Sequence, residues 1–183
     1  MSKLFSILIC TIPERSMSLQ KLLDSLNYQV LSTELDCIEI LTDAGAGSIG
    51  AKRNRLLNLA TGDYVAFVDD DDEVAGNYIE SIVSAIKTDN CPDCMGLHGQ
   101  LVVNGVHTYK FRHSITVGRW CKDKVSRIYF RTPNHLNPIK RELALLVKFP
   151  DSSWGEDRSF SDKIKQHLKT EYFIEDILYF YIK

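Results

Sequence analysis

The chain has 183 residues, of which 44% are hydrophobic and 25% are charged, and its formal net charge is −2. These values are ordinary for a soluble globular protein with one core. No apolar run reaches the roughly 18 residues that a membrane-spanning helix requires, so we expect no transmembrane segment. The short apolar N-terminus favours a first strand over a signal peptide, because no small-residue cleavage site follows it.

Strands and helices are predicted to alternate along the first half of the chain. Apolar, β-branched runs predict strands, and leucine or isoleucine repeats at helical spacing predict helices. Three strand–helix pairs in succession predict a parallel sheet with right-handed crossovers. The predicted strands cover residues 5–10, 37–41 and 64–68, and the predicted helices cover 18–26 (with Ser18 as N-cap), 51–60 and 78–86.

The second half of the chain has a different pattern. Two antiparallel strands are predicted at 97–103 and 106–111, because Asn104-Gly105 between them is a strong signal for a tight hairpin turn. An irregular, polar and basic stretch follows at 113–134. The remaining predicted elements are a helix from about Pro138, a helix at 157–168 and an extended segment at 172–182.

These elements together predict a single α/β domain over residues 1–183. Its central sheet should be mostly parallel and flanked by helices, with a small antiparallel hairpin in the second half. No internal repeat or linker interrupts the chain.

Five cysteines lie at positions 10, 37, 91, 94 and 121. An odd number of scattered cysteines favours free thiols in a reducing compartment. We therefore expect the protein in the cytoplasm, or in the host cytoplasm if it is viral. Cys91 and Cys94 have no second pair to complete a zinc site, so a turn with two incidental thiols is favoured over a zinc or redox role.

Four consecutive aspartates, Asp69 to Asp72, follow the predicted strand at 64–68. Adjacent carboxylates repel one another, and a cation relieves that repulsion. Open α/β sheets bind ligands at the carboxyl ends of their strands. Hard oxygen ligands suit Mg²⁺ or Mn²⁺, which usually hold substrate phosphates as well. The alternative is a solvated acidic turn that caps the next helix.

The other two predicted strands also end in polar residues. Residues 11–15 follow the first strand and Asp43 follows the second, so the three strand ends should form one crevice. The loop at 44–50 leads into a helix whose free N–H groups can bind a phosphate. Its glycines match the spacing of a dinucleotide-binding loop, but the loop follows the second strand and lacks the usual acidic partner. A nucleotide site is therefore predicted, without favouring a dehydrogenase.

Three segments stand in a characteristic order: Gly-Ala-Lys-Arg-Asn at 50–54, Ala-Thr-Gly-Asp-Tyr at 60–64 and Phe-Val-Asp-Asp-Asp-Asp at 67–72. With Thr11 and Asp43, this ordered set resembles the family 2 glycosyltransferases, which have the GT-A fold. The resemblance is dense over residues 5–90 and thins to short stretches at 137–142 and 154–157. No single segment is specific, but their order is.

The resemblance implies an inverting enzyme with a UDP-sugar as donor and Mn²⁺ or Mg²⁺ as its metal. Asp71 would bind the metal that bridges the diphosphate, and Asp69 would contact the ribose or the metal. Asp70, also implied at the cofactor site, stands where the family often has serine. The other residues implied at the nucleotide-sugar site are Thr11, Glu14, Arg15, Asp43, Lys52 and Arg53.

The resemblance also implies a catalytic base, because Glu156-Asp157 matches the family's Glu-Asp pair. Asp157 would accept the proton of the acceptor hydroxyl. Its alternative is a carboxylate that only stabilises a helix N-terminus. His135 is a candidate third metal ligand, although a loop histidine satisfied by the backbone is favoured. Trp154 is expected either to stack on a sugar ring or to pack in the core.

Charge is unevenly distributed along the chain. Residues 110–148 contain ten Lys and Arg against Asp123 and Glu142, a net charge of +8. We expect residues 1–95 to bind donor and metal, and residues 96–183 to bind the acceptor and supply the base. The basic segment favours an anionic acceptor: a glycan, a lipid-linked saccharide or a hydroxymethylated DNA base. A lysine-rich solvent face is the alternative.

Two other functions fit parts of this pattern. A nucleotidyltransferase shares the nucleotide pocket and the metal carboxylates, but residues 11–15 lack its glycine-rich signature with a lysine. A non-catalytic nucleotide-sugar-binding module would keep the pocket without requiring Asp157.

Overall fold

Strands and helices alternate from the N-terminus, in the predicted order. The computed structural model describes residues 3–33, 36–88 and 90–183. The strands are β1 (Phe5–Cys10), β2 (Ile38–Asp43), β3 (Tyr64–Phe67), β4 (Glu73–Val74), β5 (Cys94–Val103), β6 (Val106–His113), β7 (Cys121–Asp123), β8 (Ile128–Arg131), β9 (Ile139–Lys140) and β10 (Glu171–Ile182). The helices are α1 (Ser16–Thr33), α2 (Ile49–Leu59), α3 (Tyr78–Ile86), α4 (Arg141–Val147) and α5 (Glu156–Ile164), with a 3₁₀ turn at Pro13–Arg15 before α1.

The strands of the described residues belong to one mixed sheet. Its order is β2-β1-β3-β9-β5-β6-β8-β7, and β10 pairs with β5 and β4. β1 is parallel to both β2 and β3, since α1 and α2 form the crossovers between these strands. Beyond β3 the pairing becomes antiparallel through β9, β5 and β6. The parallel half brings the carboxyl ends of β1, β2 and β3 to one edge.

Side chains of β1 alternate between two buried faces of the sheet. Phe5, Ile7 and Ile9 pack with residues of α1 and α3. Leu8 and Cys10 pack with residues of α2, α4 and α5 on the other face. Helices therefore cover both faces, which is why the strand is continuously apolar in sequence.

Helix α1 is longer than its leucine repeat predicts. It begins at Ser16, two residues before the predicted N-cap, and continues well past residue 26. The added turns are anchored by the buried Gln29 side chain, which donates to the Ala75 carbonyl at 3.0 Å and accepts from Ile79 N at 3.0 Å. A core glutamine looks like a surface residue in the sequence, so only tertiary contacts reveal the extension.

The predicted hairpin of β5 and β6 is confirmed. Asn104 and Gly105 have φ values of 49° and 75°, as two-residue hairpin turns of this kind require. The prediction of irregular structure at 113–134 is wrong in part, because β7 and β8 lie there and β8 pairs in parallel with β6. The helix expected from Pro138 starts three residues later, since β9 first pairs with β3.

The C-terminal strand closes the sheet against the acidic cluster. β10 runs parallel to β5 and antiparallel to the short β4, which directly follows the aspartates. All five cysteines are free thiols, as their spacing predicts. Among the described residues, no helix combines the length and apolar character needed to cross a membrane.

Candidate active site

A cavity of about 670 Å³ opens where β1 and β3 end. Its lining comes from both halves of the chain, and the two sides differ in character. The acidic wall, from the first half, consists of Thr11, Arg15, Lys52, Arg53, Asp69, Asp70 and Asp71. The aromatic wall, from the second half, includes Trp120, Tyr129, Arg131, Trp154, Asp157, Tyr181 and Lys183.

Asp69 is held by two neighbours. One carboxylate oxygen lies 3.2 Å from Arg53 Nη2 and the other lies 3.5 Å from His135 Nε2. Burial by itself would raise the pKa of Asp69, but His135 and Arg53 outweigh burial and hold that pKa well below its usual range. Burial lowers the pKa of His135, so Arg53 supplies the lasting positive charge at neutral pH. Asp69 is therefore a fixed anion at the cavity.

Arg15 holds the next two aspartates. Its Nη1 lies 2.8 Å from Asp70 and 3.0 Å from Asp71. Asp70 is buried, whereas Asp71 is exposed to the cavity. Burial raises the pKa of Asp71 against the attraction of Arg15, and the charges of Asp69 and Asp70 raise it further. Another cation beside Asp71 would relieve this unfavourable charge.

The predicted metal ligands are Asp69, Asp71 and His135. Within the described parts of the chain, no three or more His, Cys, Asp or Glu side chains are arranged to hold an ion by themselves. Both ring nitrogens of His135 are nevertheless buried without a hydrogen-bond partner. The two carboxylates supply the hard oxygen donors that Mg²⁺ and Mn²⁺ prefer. The donor set fits a metal that takes few ligands from the chain and the rest from a bound diphosphate.

Lys52 and Arg53, predicted to approach a base or diphosphate, are bonded to the chain itself. Lys52 Nζ donates to the Thr11 carbonyl at 2.7 Å. Arg53 is buried, donates to Glu156 Oε1 at 2.7 Å and lies 5.4 Å from the Phe149 ring centre. These two cations therefore build the acidic wall and connect it to α5.

Two residues predicted for the nucleotide pocket do not line this cavity. Glu14 is exposed in the 3₁₀ turn. Asp43 accepts from Arg55 Nε at 2.7 Å and from Gly45 N at 2.7 Å. The Arg55 hydrogen bond, opposed by some burial, lowers the pKa of Asp43. Arg55, on the second turn of α2, thus occupies the carboxylate that was predicted to contact a nucleotide.

The N-terminus of α2, predicted to bind a phosphate, is also occupied by the chain. Ile49 N donates to Ser153 Oγ at 3.3 Å, and Gly50 N donates to the Ser152 carbonyl at 3.0 Å. Ala51 N is capped by a side-chain oxygen at 3.1 Å. These bonds attach α2 to the loop that leads into α5.

Asp72, the last of the four aspartates, has a structural role. Its carboxylate accepts from the Tyr179 hydroxyl at 2.7 Å and from Ile182 N at 2.8 Å. The same hydroxyl accepts from Asp69 N at 3.1 Å. Burial raises the pKa of Asp72 to about 7. The C-terminal strand therefore positions the backbone of the acidic cluster.

The predicted base lies at the cavity, in the first turn of α5. Gly155, with φ of 69°, precedes the helix and turns the chain into it. Glu156 is buried against Arg53, whereas Asp157 lines the cavity and accepts from Arg158 N at 2.7 Å. The geometry of Asp157 is thus compatible both with a base and with a carboxylate that stabilises the helix end.

Several residues of the aromatic wall were missed from the sequence. Trp120, Tyr129 and Arg131 lie in or beside the strands that were not predicted, and Tyr181 lies on β10. The alternation of aromatic and basic residues along β8 is a signal that could have identified one face of a strand. Trp154 is 91% exposed and lines the cavity, so it does not pack in the core.

The sequence matches the family model described as Glycosyl transferase family 2 over residues 27–142. No curated protein matches the sequence significantly. Among solved structures, residues 1–349 of S. aureus TarS have a TM-score of 0.69 and 18% identity, and the match covers 98% of this chain and 60% of that one. GalNAc-T7, solved with UDP, GalNAc and Mn²⁺, has a TM-score of 0.63 and 17% identity, with 100% of this chain and 44% of that one covered.

At these identities, the structural likeness establishes the fold. The chain spans 60% of the TarS structure, so it corresponds to the part of that protein that contains the mixed sheet. The family model covers well over half of the chain. The chain therefore belongs to glycosyl transferase family 2 and has the GT-A fold that the ordered sequence segments predict.

Proposed function

We propose that the chain is a metal-dependent, inverting glycosyltransferase that moves a hexose from a UDP-sugar to an acceptor hydroxyl. One observation carries the proposal: a single cavity is lined by Asp69 and Asp71 on its acidic wall and by Asp157 on its aromatic wall. A donor diphosphate and an acceptor hydroxyl can meet in that space, between a cation-binding group and a base.

The acidic wall is the proposed donor side. Thr11 and Arg15 line the cavity next to the aspartates and are available to a nucleotide. A bound Mg²⁺ or Mn²⁺ would neutralise the charge that develops on the leaving nucleoside diphosphate, so no general acid is required. Asp69 and Asp71 would hold it, with His135 as a further ligand.

Asp157 is the proposed general base. It would accept the proton of the acceptor hydroxyl as that oxygen attacks the anomeric carbon, a contribution of about 10²–10⁴-fold in rate. Attack from the side opposite the leaving diphosphate inverts the anomeric configuration. The neighbouring Glu156 is not available for this role, because it is buried and paired with Arg53 at 2.7 Å.

The structural neighbours support the choice of donor and metal. A second TarS structure contains UDP-GlcNAc and has a TM-score of 0.64 and 16% identity, with 98% of this chain and 58% of that one covered. GalNAc-T7 was solved with UDP and Mn²⁺. A UDP-sugar with Mn²⁺ is accordingly the first combination to test.

Replacing Asp157 by asparagine tests the proposal. With Mn²⁺ and a panel of UDP-hexoses, the wild type should release UDP. The Asp157→Asn variant should bind UDP unchanged in calorimetry but lose about 10²–10⁴-fold in turnover. Asp162→Asn, on the exposed face of the same helix, is the matched control and should behave as the wild type. Chelation of the metal should abolish turnover.

Each alternative function predicts a different result. Release of pyrophosphate in place of UDP would indicate nucleotidyl transfer. UDP binding without any turnover in the wild type would indicate a binding module. Full activity in Asp157→Asn would show that another group is the base.

A further inference from the structure

Arg131, at the end of β8, differs from the other arginines that line the cavity. Arg15 pairs with Asp70 and Asp71, and Arg53 pairs with Asp69 and Glu156. Among the described residues, no carboxylate oxygen lies within salt-bridge distance of the Arg131 guanidinium, which lines the same cavity. A cation without a paired carboxylate at the wall of a cavity is a potential receptor for an anion.

Two aromatic rings hold this guanidinium in place. Its central carbon lies 4.6 Å from the Trp120 ring centre and 5.8 Å from the Tyr129 ring centre. Trp120 is itself fixed, because its indole N–H donates to Thr132 Oγ1 at 2.9 Å and to Ser161 Oγ at 3.3 Å. A stacked guanidinium keeps the N–H groups at its edge free for two parallel bonds to an oxyanion.

The electrostatic surroundings favour an anion at this position. Burial lowers the pKa of Arg131 while the charge of Asp157 raises it, so the guanidinium is partly desolvated and lies within the field of the proposed base. Partial desolvation strengthens attraction between charges. Lys183, from the C-terminus, adds a second cation to the same wall.

We propose that Arg131 binds a phosphate or carboxylate group of the acceptor saccharide and so places the attacking hydroxyl beside Asp157. This inference rests on the proposed function and names its acceptor class. Trp120, Tyr129 and the exposed Trp154 provide apolar surfaces for sugar rings. A saccharide that lacks the anionic group would bind weakly and be turned over slowly.

The same observations favour a saccharide over DNA. In the part of the aromatic wall that the structure describes, the cations are Arg131 and Lys183. Lys122 and Arg127 stack on Tyr109 and lie outside the cavity lining. A duplex typically takes about 6–10 phosphate contacts, which this wall does not offer. Binding should therefore depend only weakly on salt.

Binding of glucose 6-phosphate, glucuronate and glucose tests the proposal by titration calorimetry, with UDP and Mn²⁺ present. The wild type should bind at least one of the two anionic sugars about 10-fold or more tightly than glucose, and the preferred one identifies the source of the oxyanion. Arg131→Gln should lose that preference, and Arg131→Lys should recover part of it. Arg119→Gln is the matched control, because Arg119 is exposed in the same basic segment and does not line the cavity.

Three results would overturn the proposal. They are equal binding of glucose and both anionic sugars by the wild type, an undiminished preference in Arg131→Gln, and binding of a DNA duplex with a steep salt dependence. Phosphate bound at Arg15 instead would be insensitive to Arg131→Gln. Circular dichroism and Arg131→Lys separate lost binding from lost folding. If no UDP-hexose is hydrolysed but the anion preference depends on Arg131, the proposed function fails and the anion site remains.

Discussion

Arg53 joins the two halves of the site through a single buried side chain. It comes from α2 in the first half of the chain, and its nitrogens reach Asp69 at 3.2 Å and Glu156 at 2.7 Å. The rings of Phe67 and Phe149 lie 5.7 Å and 5.4 Å from its guanidinium carbon. The chain therefore uses this arginine to hold both carboxylates, whereas the sequence resemblance assigns it to the donor.

Replacing Arg53 by glutamine should be strongly destabilising. The change leaves Glu156 buried without its cation, and breaking a buried ion pair from one side costs about 3–5 kcal/mol. The free energy of unfolding, measured by urea denaturation, checks this expectation. Arg55→Gln on the same helix is the control, because its pair with Asp43 is exposed and its loss should have little effect. Equal effects of the two substitutions would contradict the structural role of Arg53.

At the scale of elements, the start of α2 is packed directly on the loop that leads into α5. Gly50 N donates to the Ser152 carbonyl at 3.0 Å, and a Cβ at Gly50 would overlap the Pro150 carbonyl oxygen. Asn54 is bonded to the Phe149 backbone in both directions, at 2.8 Å and 2.9 Å. The position of the proposed base therefore depends on how closely these two elements approach.

Gly50→Ala should move the loop at 150–155 and, with it, Asp157. Backbone atoms cannot yield as a flexible side chain can, so the loop must shift. Turnover should fall by about 10²-fold or more, since misplacing a catalytic group by about 1 Å has effects of that size. Affinity for UDP should change much less, because the acidic wall lies on the other side of α2. Gly118→Ala is the control: its Cβ would meet no atom. A turnover unchanged in Gly50→Ala would contradict this coupling.

At the scale of the whole molecule, the two halves of the sheet meet at a buried polar cluster. His113, at the end of β6, is fully buried, and its Nδ1 lies 3.1 Å from Asn137 Oδ1. Asn137 also donates to the Met95 carbonyl at 2.8 Å and accepts from Asn134 N at 2.9 Å. Burial, with a smaller effect of the Arg131 charge, lowers the pKa of His113 to about 3.

This histidine should make the fold sensitive to acid. Its pKa is lower in the folded chain than the ordinary 6.5, so the unfolded chain binds the proton more readily. Its stabilising contribution is complete above about pH 6.5 and is lost as the pH falls towards 3. Between pH 7 and pH 5 the expected loss is about 2 kcal/mol.

Urea denaturation at several pH values measures this dependence. His113→Gln should be less stable at pH 7 but should lose less stability on acidification than the wild type. His167→Gln, at an exposed position, should keep the wild-type slope. An identical slope in His113→Gln and the wild type would assign the acid sensitivity to other groups.

The sequence by itself determined the local features of this protein. Apolar runs and helical repeats set the order of strands and helices, Asn104-Gly105 set the hairpin, and the aspartates were correctly placed after β3. These features depend on neighbours within a few residues, so their signals lie in the local pattern. The family resemblance identified the fold for the same reason, because its segments are short and ordered.

Only the tertiary structure decided which charges are paired and which are free. The sequence treats Arg53, Arg55 and Arg131 alike, as cations near a predicted crevice. Folding pairs Arg53 with Glu156, 103 residues away, and Arg55 with Asp43, 12 residues away, and it leaves Arg131 stacked on rings at the cavity wall. Ion pairs and strand partners over such separations depend on where the fold brings distant segments together, and no local pattern encodes that.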